Sequence, residues 1–255
     1  MNKNVKQKRP PLVRQRIFQA LIISLLTLVL VVVDLVFHGP LSAVDVPVAT
    51  FFFHLRSGFF IHLFYFITLF AESWVVVALA ALLGLFFLVK RQYQFFATLG
   101  VALVSSEGVT FFGKLIFQRV RPALALASAS ENSFSFPSGH ATTVVVFYGF
   151  ILYLLLQTHK TRLQRFWLSV SLVVGICLID VSRLYLDVHY LTDVIAGNLI
   201  GLAGLLFALM LVPRLTRFFK TVGVPKLFTW KQAACLGAIA CLIVIPLFLR
   251  TPLTP

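Results

Sequence analysis

The sequence predicts an all-α protein: a polytopic transmembrane helical bundle with a six-span core and a seventh span at its C-terminal end. Three observations predict this. The 255-residue chain is 60% hydrophobic, with a mean hydropathy of +0.97, well beyond a soluble globular composition. Seven apolar stretches approach the roughly 20 residues that a spanning helix needs; they lie at 17–37, 61–89, 94–117, 139–157, 166–184, 190–212 and 232–249. The basic residues fall mostly between those stretches, as they do in cytoplasmic loops of membrane proteins.

Each element has its own justification. The first stretch follows a basic segment, 1–16. Its apolar run, Ile17 to Val33, is long and lacks a clean small-residue cleavage site, so it reads as a retained span and not a signal peptide. Val46 to Phe60 (VPVATFFFHLRSGFF) is aromatic and short of charge, suited to lying flat at a membrane surface. The second stretch is long enough to begin with such an interfacial piece. Pro122 favours an exit from the third. The core is expected to cover 17–212, followed by a basic loop at 213–231 and an extra span with a short outer tail at 232–255.

Charge sets the expected orientation. With a cytoplasmic N-terminus, the inside segments 1–16, 90–93, 158–165 and 213–231 hold six, two, three and five Lys or Arg, which is 16 of the 22. That bias puts the N-terminus inside and the C-terminus outside. The six others are Arg56, Lys114, Arg119, Arg121, Arg183 and Arg250, all on or near the outer face. The net charge of +14 is therefore not gathered on a soluble face, which argues against a nucleic-acid partner. Cys177, Cys235 and Cys241 lie in apolar runs without metal-ligand or disulfide spacing. No internal repeat, low-complexity tract or soluble domain interrupts the pattern.

Three outer stretches carry chemistry. In KLIFQRVRP, Lys114 and Arg121 are seven apart and share one face if the helix persists. Alone, the pair reads first as a snorkelling interfacial cluster. In PSGH, Ser138 is an N-cap candidate, and Gly139 permits close backbone approach or an unusual dihedral. The free N–H donors of a helix start welcome an anion, and His140 sits in that first turn. Alone, this stretch reads as a plain helix cap. In SRLYLDVHYLTD, His189 and Asp193 are four apart, so on a helix the carboxylate reaches the ring and fixes its tautomer. Arg183 offers a planar fork for phosphate oxygens. By the expected topology the three stretches share one layer. Phosphoryl transfer needs those parts: cations and N–H donors, an activated nucleophile, and an acid for the leaving oxygen. No metal cluster is apparent.

KX6RP (Lys114, Arg121, Pro122), PSGH (137–140) and SRX5HX3D (Ser182, Arg183, His189, Asp193) resemble, intact and in order, the three-part signature of the type 2 phosphatidic-acid phosphatase superfamily. The resemblance implies a metal-independent lipid phosphatase of a bacterial cell membrane, without cofactor. Undecaprenyl diphosphate, phosphatidylglycerophosphate or phosphatidic acid would be its substrate, in a site facing the extracytoplasmic side. It implies that His189 attacks phosphorus to form a phosphohistidine and that Asp193 orients it. His140 would protonate the leaving oxygen and then activate water. Lys114, Arg121, Ser138, Gly139 and Arg183 would hold the phosphate. The rivals are a non-enzymatic lipid-phosphate binder or transporter with the same cradle, and a vanadate-dependent haloperoxidase. Oligomeric state stays open.

Further polar residues carry lesser expectations. The seventh span and Asp187, where the family commonly has a small residue, depart from the pattern. Asp187 is placed to position Arg183 or tune the head group. Glu107 should face the bundle interior. Asp180, three before Arg183, should brace it. Asp34 should be interfacial and Glu72 a bundle contact.

Overall fold

In a computed structural model of the chain, residues 11–122, 133–158, 161–215 and 230–250 are described. They form helices throughout: α1 (Pro11–Val36), α2 (Asp45–His54), α3 (Gly58–Leu69), α4 (Ser73–Val89), α5 (Tyr93–Phe117), α6 (Gly139–Thr158), α7 (Arg162–Tyr185), α8 (Leu191–Leu215) and α9 (Trp230–Arg250). A short 3-10 turn, Ser42–Val44, joins α1 to α2. Six apolar segments are long enough to cross a membrane, and α9 is a smaller addition packed on α3 and α4. Most of the basic segment 1–16, the loop 213–231 and the outer tail lie outside the described residues.

The centre of the bundle is α8, which packs on α1, α5 and α6. Glycine makes this possible. Gly197, Gly201 and Gly204 recur at helical spacing along α8. A Cβ at Gly197 would collide with the Ser138 carbonyl oxygen. At Gly201 it would come within 2.6 Å of the Thr142 oxygen, and at Gly204 it would strike Ser106 Oγ. In lipid, helices associate through close packing of small residues, because burial of apolar surface gives no drive between them. The α6 and α8 backbones thus meet at the end where both helices begin.

The long second stretch is broken. Phe70, Ala71 and Glu72 separate α3 from α4. The Tyr148 hydroxyl donates to the Phe70 carbonyl at 3.0 Å, satisfying a group the break releases. Partners of α3 include Tyr185 and Arg183 in the last turn of α7 and Phe248 near the end of α9. The segment Gly58–Val89, which holds both helices, is one of the six long enough to cross. The aromatic segment before it is α2, whose Asp45 is buried while Val46 and Phe51 stay exposed.

At the α1 turn, Asp34 accepts from the amides of Leu41 and Ser42 at 3.1 and 2.6 Å, so it caps the corner into the 3-10 turn.

Candidate active site

The last turn of α5, the first turns of α6 and α8 and the last turn of α7 bring the three signature stretches to one end of the bundle. The docking is explicit: the Ser138 amide donates to the Asp193 carbonyl at 3.0 Å.

Lys114 is in the last turn of α5, but Arg121 does not follow it on a helix face. The helix ends at Phe117, and Gln118 adopts a left-handed conformation (φ 43°). Arg121 arrives on the extended segment that follows. It still converges with Lys114: Lys114 Nζ and Arg121 Nη2 both donate to Ser133 Oγ, at 3.1 and 3.2 Å. Lys114 also donates to the Phe134 carbonyl at 2.6 Å.

Ser138 precedes α6, and its hydroxyl faces the Ala141 amide at the long distance of 3.5 Å. No glycine of the described residues has a positive φ, so of the two uses open to Gly139 the left-handed conformation is not taken. A Cβ there would meet its nearest neighbour, Thr110 Cγ2, at 3.9 Å, an ordinary contact. His140 is buried in the first turn, with Nε2 3.3 Å from Glu72 Oε2.

His189 lies just ahead of α8, not within it, and Asp193 occupies the first helical turn. Nδ1 of His189 is 3.6 Å from Asp193 Oδ2, ion-pair range and longer than a hydrogen bond. Arg121 Nη1 lies 3.3 Å from His189 Nε2. A guanidinium has no acceptor, so this contact requires a lone pair on Nε2 and places the ring proton on Nδ1, toward Asp193. Burial pushes the His189 ring down to about 4; the charges of Arg183 and Arg121 add to this, and Asp193 opposes it. The ring is neutral at neutral pH, with its Nε2 lone pair toward a guanidinium. Arg183, 2% exposed, donates to Thr68 Oγ1 at 2.9 Å.

Several residues around this centre escaped sequence reasoning. Arg119 donates from Nη1 to Asp193 Oδ1 at 2.6 Å and from Nη2 to Asp45 Oδ2 at 2.7 Å. Burial acts downward on its pKa, but the Asp193 and Asp45 carboxylates outweigh it and raise the value above the usual arginine range. Ser135 Oγ donates to Asp193 Oδ2. Glu72 arrives from the α3–α4 break and Thr68 from the last turn of α3. No local pattern links these residues; the available signals were buried-type charges, Asp45 and Glu72, in apolar surroundings.

One secondary expectation needs correction. Asp180 does not brace Arg183: its Oδ2 accepts from Asn198 Nδ2 across the α7–α8 contact at 2.7 Å. Asp187 is buried at φ 57°, with Oδ2 4.0 Å from Arg56 Nη2. The Arg56 contact ties the α2–α3 loop to the segment ahead of His189. Glu107 does face inward, accepting from Thr143 Oγ1 at 2.6 Å. Among the described residues, no group of three His, Cys, Asp or Glu side chains is placed to hold a metal ion.

Residues 95–217, which contain every signature residue, match the PAP2 superfamily. The chain carries a PAP2-superfamily domain. It is similar to phosphatidylglycerophosphatase B of Bacillus subtilis, 41% identical over 95 residues, covering 36% of this chain and 45% of that protein. It is also similar to undecaprenyl-diphosphatase of Sulfolobus acidocaldarius, 29% identical over 141 residues, covering 53% and 63%. The matches thus span less than two thirds of either relative's length. The fold resembles the crystal structure of a transmembrane PAP2-type phosphatidylglycerolphosphate phosphatase from Bacillus subtilis. That likeness has a TM-score of 0.65 at 25% identity and covers 80% of this chain and 98% of that one. The PAP2 domain accounts for α5 to α8; α1 to α4 precede it, and α9 follows.

Proposed function

We propose that this protein is an integral membrane phosphatase that removes a terminal phosphate from a lipid phosphate or diphosphate. The observation that carries the reading is the His189 ring, buried and neutral, with its Nε2 lone pair toward Arg121 and Nδ1 toward Asp193. A binding cradle needs no such nucleophile.

The chemistry follows from the positions. Lys114, Arg121, Arg183 and the amides at the start of α6 neutralise the phosphate oxygens. His189 Nε2 attacks phosphorus, the bond to the leaving oxygen breaks, and His140 delivers a proton to that oxygen. The Nδ1 proton of His189 faces Asp193, which stabilises the cationic ring of the phosphohistidine. His140 then takes a proton from water, whose oxygen attacks phosphorus; the P–N bond breaks, and His189 returns neutral with inorganic phosphate released. The Nδ1–Asp193 approach shortens to an ordinary hydrogen bond as charge develops, as such contacts do between free and loaded enzymes.

The relatives and the setting support the substrate class. Their names specify phosphatidylglycerophosphate and undecaprenyl diphosphate, and a site at the ends of spanning helices lets a lipid tail remain in hydrocarbon. The six-span unit at 17–212 is the catalytic core and α9 an addition to it. The charge bias supports a cytoplasmic N-terminus and a site on the extracytoplasmic side of a bacterial membrane.

The test is phosphate release by purified protein in detergent with excess chelator. The panel is phosphatidic acid, phosphatidylglycerophosphate and undecaprenyl diphosphate, each with wild type and His189→Ala. Release that persists in chelator and vanishes in the variant supports the reading. Unchanged release by His189→Ala overturns the mechanism, and binding without release identifies a carrier instead.

A further inference from the structure

Arg119 joins three segments far apart in the chain. On one side its guanidinium meets Asp193 Oδ1 and Thr192 Oγ1, at 2.6 and 2.7 Å. On the other it meets Asp45 Oδ2 at 2.7 Å. Its flat face lies 4.1 Å from the centre of the Tyr190 ring. Asp45, in the first turn of α2, accepts from the Thr192 amide and hydroxyl as well, at 2.9 and 2.6 Å. Both carboxylates are buried.

The two oxygens of Asp193 have separate duties. Oδ1 belongs to Arg119. Oδ2 accepts from Ser135 Oγ and from the Tyr190 amide at 2.8 Å, and it is the oxygen facing His189 Nδ1. A planar fork held at both ends fixes the plane of the carboxylate it grips. Remove the fork and two buried carboxylates lose their shared cation, so one of them is driven to take a proton. A protonated or rotated Asp193 no longer presents an anionic oxygen to the ring.

We propose that Arg119, anchored by Asp45, is a positioning residue that acts on the nucleophile through Asp193. The proposal rests on the reading of His189 as nucleophile. It also gives α2 a role: the surface helix is latched to the catalytic carboxylate by its buried first-turn aspartate. A competing role, direct contact with substrate phosphate, is distinguishable because it acts on affinity and not through Asp193.

The experiment measures turnover of dioctanoyl phosphatidic acid in detergent by wild type, Arg119→Met, Arg119→Lys, Asp45→Asn and Asp193→Asn, with Arg119→Met and Asp45→Asn also in the Asp193→Asn background. A misplaced catalytic group costs on the order of a hundredfold. Arg119→Met is expected to lose about that much kcat with KM within about twofold, Arg119→Lys to recover part of it, and Asp45→Asn to lose about tenfold. In the Asp193→Asn background neither change costs anything further, because the group they act through is already disabled. Full additivity, wild-type kcat in Arg119→Met, or a loss confined to KM overturns the proposal. If Arg119→Met does not accumulate folded, Asp45→Asn in the two backgrounds decides alone: equal losses in both overturn it.

A readout independent of turnover separates this from the reading beneath it. In protein labelled with 15N-histidine, the ring signals lost in His189→Ala identify His189. They are expected to report a proton on Nδ1 in wild type and a mixture of tautomers in Arg119→Met; identical signals in both overturn the positioning role. If His189→Ala releases phosphate normally while the tautomer shift occurs, the phosphatase mechanism fails and the structural coupling stands.

Discussion

His140 Nε2 lies 3.3 Å from Glu72 Oε2, joining the first turn of α6 to the break between α3 and α4. Glu72 occupies the N-cap position of α4, yet its side chain makes no capping hydrogen bond. Its carboxylate points instead to the histidine proposed to protonate the leaving oxygen. Thr68, in the last turn of α3 just before the break, accepts from Arg183. The region of one interruption in an apolar stretch thus reaches both His140 and Arg183, the residues proposed as proton carrier and phosphate ligand.

If Glu72 supports His140 in acid catalysis, its loss depends on the leaving group. Glu72→Gln is expected to lower kcat about tenfold on phosphatidic acid, whose alkoxide needs a proton. On p-nitrophenyl phosphate, whose phenolate departs without one, the loss is expected to be about twofold or less, since general acids supply factors of roughly 10² and more only where protonation is required. Equal losses on the two substrates would assign Glu72 to folding.

Thr68→Val removes a hydrogen-bond acceptor from Arg183 while keeping the shape of the side chain. A hydrogen bond to a charged group contributes about 1.5–3 kcal/mol, so inhibition by inorganic phosphate is expected to weaken about tenfold. Product-inhibition constants measure this, and an unchanged constant would show that Thr68 does not hold the cradle.

Gly197→Ala tests the docking of α6 on α8. The added methyl meets the Ser138 carbonyl, a backbone atom that cannot step aside as a side-chain end would. Overpacking of this kind costs about 1–3 kcal/mol. The PSGH turn is expected to be displaced from Asp193, giving at least a tenfold loss of turnover in protein whose helical content by circular dichroism is unchanged. Wild-type turnover would show that the turn tolerates the shift.

The His189 ring makes stability depend on pH. Its value in the folded protein, about 4, is below the roughly 6.5 of an unfolded chain. Between those values the unfolded state binds a proton that the folded state refuses. The stabilisation is therefore fully present above about pH 6.5 and is lost as pH falls toward 4, up to about 3 kcal/mol. Thermal midpoints in detergent are expected to fall over that window in wild type and to fall less in His189→Gln. Parallel curves for the two proteins would rule out this origin.

The bundle and most of the residues gathered at the candidate site were legible in the chain itself. Hydropathy and length mark spanning helices locally, and the residues within PSGH are neighbours whatever the partner helix; His189 and Asp193 do approach, although His189 lies ahead of α8 and not on it. The expectations that relied on helical register beyond a stretch's end fared worse. Lys114 and Arg121 converge, but because Gln118 turns the chain out of the helix and not because the helix carries both. Asp180 and Arg183 are neighbours along α7, yet Asp180 pairs with Asn198 on α8.

By itself, the order of amino acids determined a membrane-spanning helical bundle and the set of histidines, cations and carboxylate proposed to handle phosphate. Only the tertiary structure decided which groups hold that set in place: Glu72 behind His140, Thr68 behind Arg183, and Asp45 with Arg119 behind Asp193. Asp45 and Asp193 are brought to one guanidinium by the packing of α2 against α8. The physical reason is range. Helix formation follows from neighbours a few residues apart, whereas a buried charge takes whichever partner the packing brings within hydrogen-bonding distance.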